Sequence, residues 1–248
     1  MQEANNQDGD SDQRTVLSID AMGGDKGPSP IVAGMAASAK KNKGLHFIVH
    51  GPSDQLEPLV KRRKVLNGRC KIRHSKSAVS MTDKPSQVVR HGKDTSMWSA
   101  IESVRNGEAE VCVSCGNTGA LMALSTIRLR KLPGVSRPAI AVLWPSRSDM
   151  GFNVMLDVGA DIRADANDLF QYALMGVSYA RNGMEIKIPR VGLLNVGTED
   201  HKGRPELHEA HALISEYESR GDYIFMGFVE GGDIPGDKAD VIVTDGFT

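Results

Sequence analysis

VLSIDAMGGDKGPSPIVAGMAASAKKNKGLHFIVHGP, residues 16–52, decides the fold class. Residues 16–20 form a β-rich run that ends at Gly23-Gly24. Ile31, Met35 and Ala39 then recur every fourth residue, the spacing of one helix face. Pro28 and Pro30 flank Ser29 and suit a helix start, where proline's missing amide has no partner to lose. Residues 45–50 are a second β-rich run, closed by Gly51-Pro52. Strand, helix and strand in this order make the unit from which parallel sheets are built.

The same alternation continues along the chain. A helix runs through Leu66 and a strand occupies 70–73. From 75 to 94 the pattern fades into a polar loop containing Met81-Thr82-Asp83-Lys84-Pro85. Met97, Ala100, Ile101 and Val104 mark a helix, and 110–114 read as a buried-type strand. Gly116-Asn117-Thr118-Gly119 opens a mostly apolar helix through Leu129. Strands follow at 139–144 and 153–157, and Leu169, Tyr172, Ala173 and Gly176 carry helical spacing. A strand at 191–196, a helix with Leu207, Ala210, Ile214 and Tyr217, and strands at 223–229 and 240–244 complete the series. The expected fold is α/β, a mostly parallel sheet with helices on both faces, in one domain over 15–248. The best candidate for an internal seam is 131–151, rich in Pro, Arg and Ser.

Composition narrows the function. The 248 residues are 40% hydrophobic, 25% charged and 5% aromatic, with 26 glycines. Tight glycine loops with few aromatics suit a small anionic ligand better than a stacking platform for nucleic acid. The formal net charge of -1 leaves no electrostatic footprint for nucleic acid. No apolar run approaches the roughly 18 residues of a membrane span. Residues 1–14 are polar and acidic, expected to be a disordered tail rather than a signal peptide. Three cysteines, Cys70, Cys112 and Cys115, are too few for a disulfide framework and point to a reducing cytoplasm.

Small and polar residues collect after the strands. These are Asp20-Ala21-Met22-Gly23-Gly24-Asp25, Ser114-Cys115-Gly116-Asn117-Thr118-Gly119, Asp157-Val158-Gly159-Ala160-Asp161, the loop Asn195 to Gly203, Glu230-Gly231-Gly232-Asp233, and Asp245-Gly246-Phe247-Thr248. In open α/β sheets ligands bind outside the carboxyl ends of the strands. Glycine lets backbone amides approach a ligand, and a helix N-terminus adds partial positive charge, so the pattern points to an anion. Asn117 and Thr118 sit at such an N-terminus, where Asn117 serves equally as a helix cap or as a ligand donor. Lys202 is the one cation of its loop besides a protonated His201, beside Glu199 and Asp200. It suits phosphate or an oxyanion, and equally the solvated fate of most loop lysines.

Other motifs fail. Cys112 and Cys115 have metal spacing, but residues three apart on a strand face opposite ways and no second pair exists. The histidines of His208-Glu209-Ala210-His211 are one residue too close for the zinc-protease motif. Gly23-Gly24-Asp25-Lys26-Gly27 is neither a dinucleotide fingerprint nor a Walker loop, and no Gly-x-Ser-x-Gly elbow is present.

Taken in order, these loops resemble the PlsX-type acyl-carrier-protein:phosphate acyltransferases of bacterial phospholipid synthesis. The polar loop at 82–85 and Gln171-Tyr172-Ala173-Leu174-Met175-Gly176 match as well, so the resemblance runs from 16 to 248. It implies an enzyme in which inorganic phosphate attacks a long-chain acyl thioester of acyl carrier protein, giving acyl phosphate and free carrier. It implies a fold similar to isocitrate dehydrogenase and phosphotransacetylase, no metal or redox cofactor, and a homodimer. Members act in the cytoplasm at the inner membrane surface, upstream of a membrane glycerol-3-phosphate acyltransferase. Lys202 matches the family's catalytic lysine. Gly23, Gly24, Gly116, Asn117, Thr118 and Gly119 are then expected to position phosphate or thioester. Asp20, Asp25 and Asp157 are expected to brace loops, because a carboxylate repels phosphate.

The sequence departs from the family at four positions. Cys115 stands where the family usually has Ala, Asp161 where it has Asn, Phe228 where Asn is common, and Gly232 where Arg is common. Asp161 adds a negative charge near an anion site and Gly232 removes a positive one, which bears on phosphate affinity. Family members also continue past Asp-Gly-Phe-Thr into Gly-Asn, whose Asn belongs to the active site, and into helices used for dimer and membrane contacts. The chain is therefore expected to be C-terminally truncated, with most of the site but not all of it. Two alternatives remain at this stage, acyl transfer from coenzyme A as in phosphotransacetylases, and a non-catalytic phosphate- or carrier-binding fragment.

Overall fold

The computed structural model describes residues 14–161, 163–199 and 202–246. The expected tail at 1–14 lies outside them except for Arg14, as do Asp200, His201, Phe247 and Thr248. The chain divides into two compact units, Met1–Arg130 and Lys131–Thr248.

The first unit is a four-stranded parallel sheet of β1 (Thr15–Asp20), β2 (Leu45–Gly51), β3 (Cys70–His74) and β4 (Val111–Ser114), in the order β3-β2-β1-β4. Helix α1 (Pro28–Lys41) starts with proline in its first turn, as the sequence pattern requires, and lays Val32, Met35, Ala36 and Ala39 over Ile19, Phe47 and Val49. Helices α2 (Ser53–Lys61), α3 (Pro85–His91), α4 (Ser96–Arg105) and α5 (Thr118–Arg128) follow in chain order. The other sheet face is covered differently, by Met97 and Ile101 of α4 packed with Ala120 and Leu124 of α5 and with Cys112. The chain therefore winds from β1 outward to β3, then returns to place β4 on β1's other side. That reversal makes a switch point between β1 and β4.

Two expectations fail in this unit. The stretch 75–94 is not loop throughout, since α3 occupies seven of its residues. A helix this short shows no repeating apolar face; it is set by Pro85 at its start and Val88 in the core. Residues 111–114 do form a strand, but not a buried one: Val111 and Val113 are 44% and 42% exposed. They stand in register with Leu17 and Ile19 on the α1 side, at the sheet edge beyond the helix.

The second unit has five strands: β5 (Ala141–Pro145), β6 (Phe152–Leu156), β7 (Arg190–Leu194), β8 (Ile224–Val229) and β9 (Val241–Val243). Their order is β5-β6-β9-β7-β8, parallel except for β5 on β6. The mostly parallel α/β pattern expected from the sequence is distributed, among the described residues, over two sheets, and the second carries an antiparallel edge. Helix α6 (Ala166–Gly183) begins with a capping box between Asp165 and Asp168. Its Leu169, Tyr172, Ala173 and Val177 share a core with Val154, Leu156, Val191 and Val241, and with Leu207 and Ala210 of α7 (Pro205–Tyr217). Gly176 lets α6 approach closely, because a methyl there would run into Val241 and Leu156. The last strand, β9, inserts between β6 and β7, so the loops after β6, β9 and β7 emerge together. Among the described residues no helix is long and apolar enough to cross a membrane.

Candidate active site

The loops after β1 and β4 meet at the switch point of the first unit. Asp20 is buried, and its two carboxylate oxygens accept from the Met22 amide at 3.2 Å and the Ser114 hydroxyl at 2.7 Å. Ser114 Oγ in turn accepts from the Gly116 amide at 3.1 Å. The carboxylate thus faces inward and ties one loop to the other. Gly23 and Gly116 make that approach feasible, since a Cβ on Gly23 would lie 2.6 Å from the Gly116 nitrogen. Gly24 packs in the same way on the Cys115 carbonyl, 3.2 Å from where its Cβ would be. Asp25 differs from expectation: it is exposed, beyond the left-handed turn at Gly24, and no hydrogen bond braces it among the described residues.

Asn117 caps α5, accepting from the Ala120 amide at 3.0 Å. Its amide nitrogen points into the preceding loop and donates to the carbonyls of Ser80, Met81 and Asp83 at 3.2, 3.2 and 2.9 Å. An amide has two N–H donors, and both are engaged. Asn117 therefore straps the 80–83 loop to α5 and has no donor to spare for phosphate, a correction to the role expected of it. Gly119 completes this contact, with Pro85 Cγ 3.1 Å from where its Cβ would stand. What faces solvent is Thr118, the first helical residue. Its amide and that of Gly119 precede the first intrahelical bond, and the first turn carries no acidic side chain. Backbone amides, a hydroxyl and the positive end of a helix suit an oxyanion.

In the second unit, Asp157 is buried with φ at 63°, in the left-handed region rarely occupied by non-glycine residues. Its carboxylate accepts from the amides of Ile140 at 3.2 Å and Asp161 at 2.8 Å, closing the loop after β6. Burial is the largest influence on it and raises its pKa. Asp161 pairs with Arg137, which also approaches Asp168 at 3.8 Å. The extra negative charge of this departure is thus balanced by an arginine from the segment before β5. Gly232 lies in a short 3-10 turn, Gly231–Asp233, whose Asp233 pairs with Lys238 at 3.0 Å.

The loop after β7 is organised by Asn195. This buried side chain accepts from the Val196 amide at 2.9 Å and donates to the Lys202 carbonyl at 3.0 Å. Gly203, with φ at 95°, passes so close to Asn195 that no Cβ would fit. Lys202 Nζ is paired with Glu199 at 2.7 Å, with its side chain 44% exposed. The Glu199 carboxylate raises the lysine's pKa, and Lys202 lowers that of Glu199. Both groups are therefore charged at neutral pH, and the ammonium is solvent-accessible. Arg204 joins the buried Asp245 of the loop after β9, fastening the two loops.

Sequence reasoning thus named Ser114, Asn195 and Asp245 only as loop residues without a role, and missed Arg137 and Arg204. Each acts through a partner in another loop or across its own, and local pattern carries no signal for such pairs. The neighbouring thiols are unlike one another. Burial, with Asp20 nearby, pushes Cys112 up to about 12, whereas Cys115 is exposed. Among the described residues, no three His, Cys, Asp or Glu side chains converge as a metal site would require.

Comparison with known proteins shows the family and the fold. Residues 15–248 match the family described as fatty acid synthesis protein. The chain is 70% identical to the phosphate acyltransferase of Ruegeria sp. (strain TM1040), over 95% of this chain and 63% of that protein. It is 67% identical to the phosphate acyltransferase of Paracoccus denitrificans (strain Pd 1222), over 97% of this chain and 65% of that one. The chain thus spans a little under two thirds of the relatives it matches. A phosphotransacetylase from Streptococcus pyogenes shares the fold, with a TM-score of 0.66 at 18% identity over 95% of this chain and 79% of its own. EutD phosphotransacetylase from Staphylococcus aureus does so at 0.63 and 15%, over 94% and 78%.

Proposed function

The chain belongs to the fatty acid synthesis protein family, and from that premise we propose that it is a phosphate acyltransferase acting on long-chain acyl thioesters of acyl carrier protein. The observation that carries the reading is the switch-point loop at the α5 N-terminus. Thr118 is exposed, its amide and that of Gly119 precede the first intrahelical bond, and the carboxylate of Asp20, at the end of β1, is turned inward. That arrangement attracts an anion and removes one source of repulsion. The relatives named phosphate acyltransferase support the same chemistry.

In the reaction, a phosphate oxygen forms a bond to the thioester carbonyl carbon and gives a tetrahedral oxyanion. The C–S bond then breaks, leaving acyl phosphate, and the departing thiolate takes a proton. Phosphate is a modest nucleophile, so positioning and oxyanion stabilisation supply most of the acceleration. In this reading Thr118 and the first amides of α5 suit an oxyanion in the first unit, and in the second unit Lys202, which matches the family's catalytic lysine, suits negative charge that develops in the reaction. Glu199 orients the lysine. Gly23, Gly24, Gly116 and Gly119 bring the loops together, and Asp20, Asp157 and Asn117 keep them in shape. The resemblance further supports a homodimer at the cytoplasmic face of the membrane, passing its product to a membrane glycerol-3-phosphate acyltransferase.

The test is phosphate-dependent thiol release and acyl phosphate formation, trapped as hydroxamate, by the full gene product with acyl-carrier and acyl-CoA donors. Release from the carrier donor is expected; exclusive use of CoA overturns the carrier assignment, and no phosphate-dependent release overturns the reaction. Lys202→Ala is expected to lower turnover by about 100-fold or more with an unchanged melting temperature, since the ion pair it breaks is exposed. Turnover near wild type refutes the role given to Lys202.

A further inference from the structure

A cavity of about 350 Å³ opens at the end of the first sheet opposite the candidate site. Its lining comes from the starts of β1, β2 and β3, whereas Asp20 and Ser114 end β1 and β4. Arg14 lines the cavity just before β1, so the length of that strand, roughly 20 Å, separates it from the switch-point loops. Strand alternation sets the face. Leu17, Phe47 and Val49 pack under α1, so Val16, His46 and Ile48 face the other way. Ser18, on that same face, donates to the Ala100 carbonyl of α4 at 2.8 Å. Val16 and Ile48 give the cavity its apolar lining.

Three cations line it as well, Arg14, Arg69 and Lys71. None of them is in an ion pair among the described residues. The acid in the lining, Glu108, is taken up by Arg73, which meets both of its oxygens. Glu110 beyond it accepts from the Val16 amide at 2.6 Å. Helices end at this edge of a parallel sheet, and cations there commonly answer only the helix dipole. Lys40 and Lys41, in the last turn of α1, fit that account. Arg69 fits it in part, since one of its N–H groups reaches the Ala39 carbonyl of α1 at 3.0 Å, which also fixes the guanidinium in place. Arg14 and Lys71 stand at strand starts, where no helix end accounts for them. The exposed run Lys61-Arg62-Arg63-Lys64, which closes α2 and precedes β3, adds positive charge at the same edge.

The volume sits at the lower end of small-ligand pockets. Two guanidinium forks and an ammonium around one recess match a ligand with adjacent oxyanion groups, each able to take a charge-assisted contact. We infer that this cavity is a second anion site, which takes the diphosphate group of a small soluble ligand between Arg14, Arg69 and Lys71, with Val16 and Ile48 against its apolar part. The site goes beyond the acyl transfer reaction and shares no residue with the α5 N-terminus.

The probe is sodium pyrophosphate, titrated into the chain by calorimetry without divalent metal. Wild type is expected to bind it in the millimolar range or tighter. Arg14→Ala and Lys71→Ala are each expected to weaken binding by about tenfold, the size of one charge-assisted contact. Both side chains are exposed, so the variants are expected to keep the wild-type melting temperature. Thr118→Glu, which sets a carboxylate at the α5 N-terminus, is expected to leave the affinity unchanged. Affinity that both alanine variants leave intact, affinity that Thr118→Glu removes, or no binding in the millimolar range overturns the assignment. Flotation with phosphatidylglycerol vesicles separates a soluble ligand from a lipid headgroup. No flotation, or flotation that Arg14→Ala and Lys71→Ala leave unchanged, supports the soluble ligand. Flotation lost in both variants assigns these cations to a lipid surface and overturns it. Acyl phosphate formation by the full gene product tests the reaction at the other end of the sheet, so its failure leaves this site standing.

Discussion

Asn117 has two separable jobs, and one substitution isolates the less obvious of them. Asn117→Ser keeps a side-chain oxygen that caps a helix as well as asparagine does, but removes the amide that straps the 80–83 loop. Two N–H donors serve three carbonyls there, and each intramolecular bond is worth a net of about 1 kcal/mol, so the strap contributes about 2 kcal/mol. Asn117→Ala removes the cap as well, adding about 1 kcal/mol for a total of about 3 kcal/mol. For a unit of this size 1 kcal/mol moves the midpoint by about 4 °C, which places the serine variant about 8 °C and the alanine variant about 12 °C below wild type. Of the two tryptophans, Trp98 lies in α4 of the first unit and Trp144 in β5 of the second. A Trp144→Phe background therefore makes Trp98 fluorescence a melting signal for the first unit alone. Hydrogen exchange separates the two jobs: the Ala120 amide is expected to stay protected in the serine variant and to lose protection in the alanine variant. If Asn117→Ser melts within about 2 °C of wild type, the strap carries no appreciable energy. The amide is then available to a ligand, and the role argued here is wrong.

Three further outcomes follow from buried groups and close contacts. His50 is fully buried between Ser18 at 2.9 Å and Ser99 at 2.8 Å, and burial, followed by the charge of Arg73, lowers its pKa from 6.5 to about 4. Between those values the unfolded chain binds the proton and the folded chain does not, so stability is complete above about pH 6.5 and falls as pH drops toward 4, by about 3 kcal/mol. Urea midpoints across that range, compared with a non-titrating His50→Gln variant, check this; parallel curves for the two proteins refute it. Gly23→Ala presses a methyl against the Gly116 backbone and is expected to cost about 3 kcal/mol. Gly231→Ala, which meets nothing within 4 Å, serves as the neutral control; equal melting temperatures for the two would refute the close-approach argument. Arg204→Leu takes the guanidinium away from the buried Asp245 carboxylate and is expected to destabilise the second unit by about 2 kcal/mol or more, read from Trp144 fluorescence in a Trp98→Phe background. A midpoint unchanged from that background shows that the fastening between the two loops is dispensable.

Strand positions were legible because β-branched and apolar runs such as Val16-Leu17-Ser18-Ile19 or Val241-Ile242-Val243 end at turn residues. Long helices were legible for the same local reason: α6 shows its apolar face over 18 residues. Helix α3 was not, because seven residues make barely two turns and leave one buried valine as the whole pattern. The exposure of Val111 and Val113 was equally hidden, since an apolar strand looks the same at a sheet's centre and at its edge. The N-cap role of Asn117 shows in its position before an apolar helix. Its three bonds to residues 80–83 do not, because their partners lie 34 to 37 residues away.

Residues near one another in the chain settled the α/β class, the positions of the glycine loops and the candidacy of Lys202, because secondary structure and helix caps are local interactions. Contacts between distant residues settled the rest. They set β9 between β6 and β7, turned Asp20 inward onto Ser114, gave Asp161 its Arg137, paired Lys202 with Glu199 across a loop held by Asn195, and took the Asn117 amide away from the anion site. The reason is physical. A side chain's chemistry is set by which donors, acceptors and charges lie within about 3 Å of it, and for these residues that shell is assembled only when the strands order themselves.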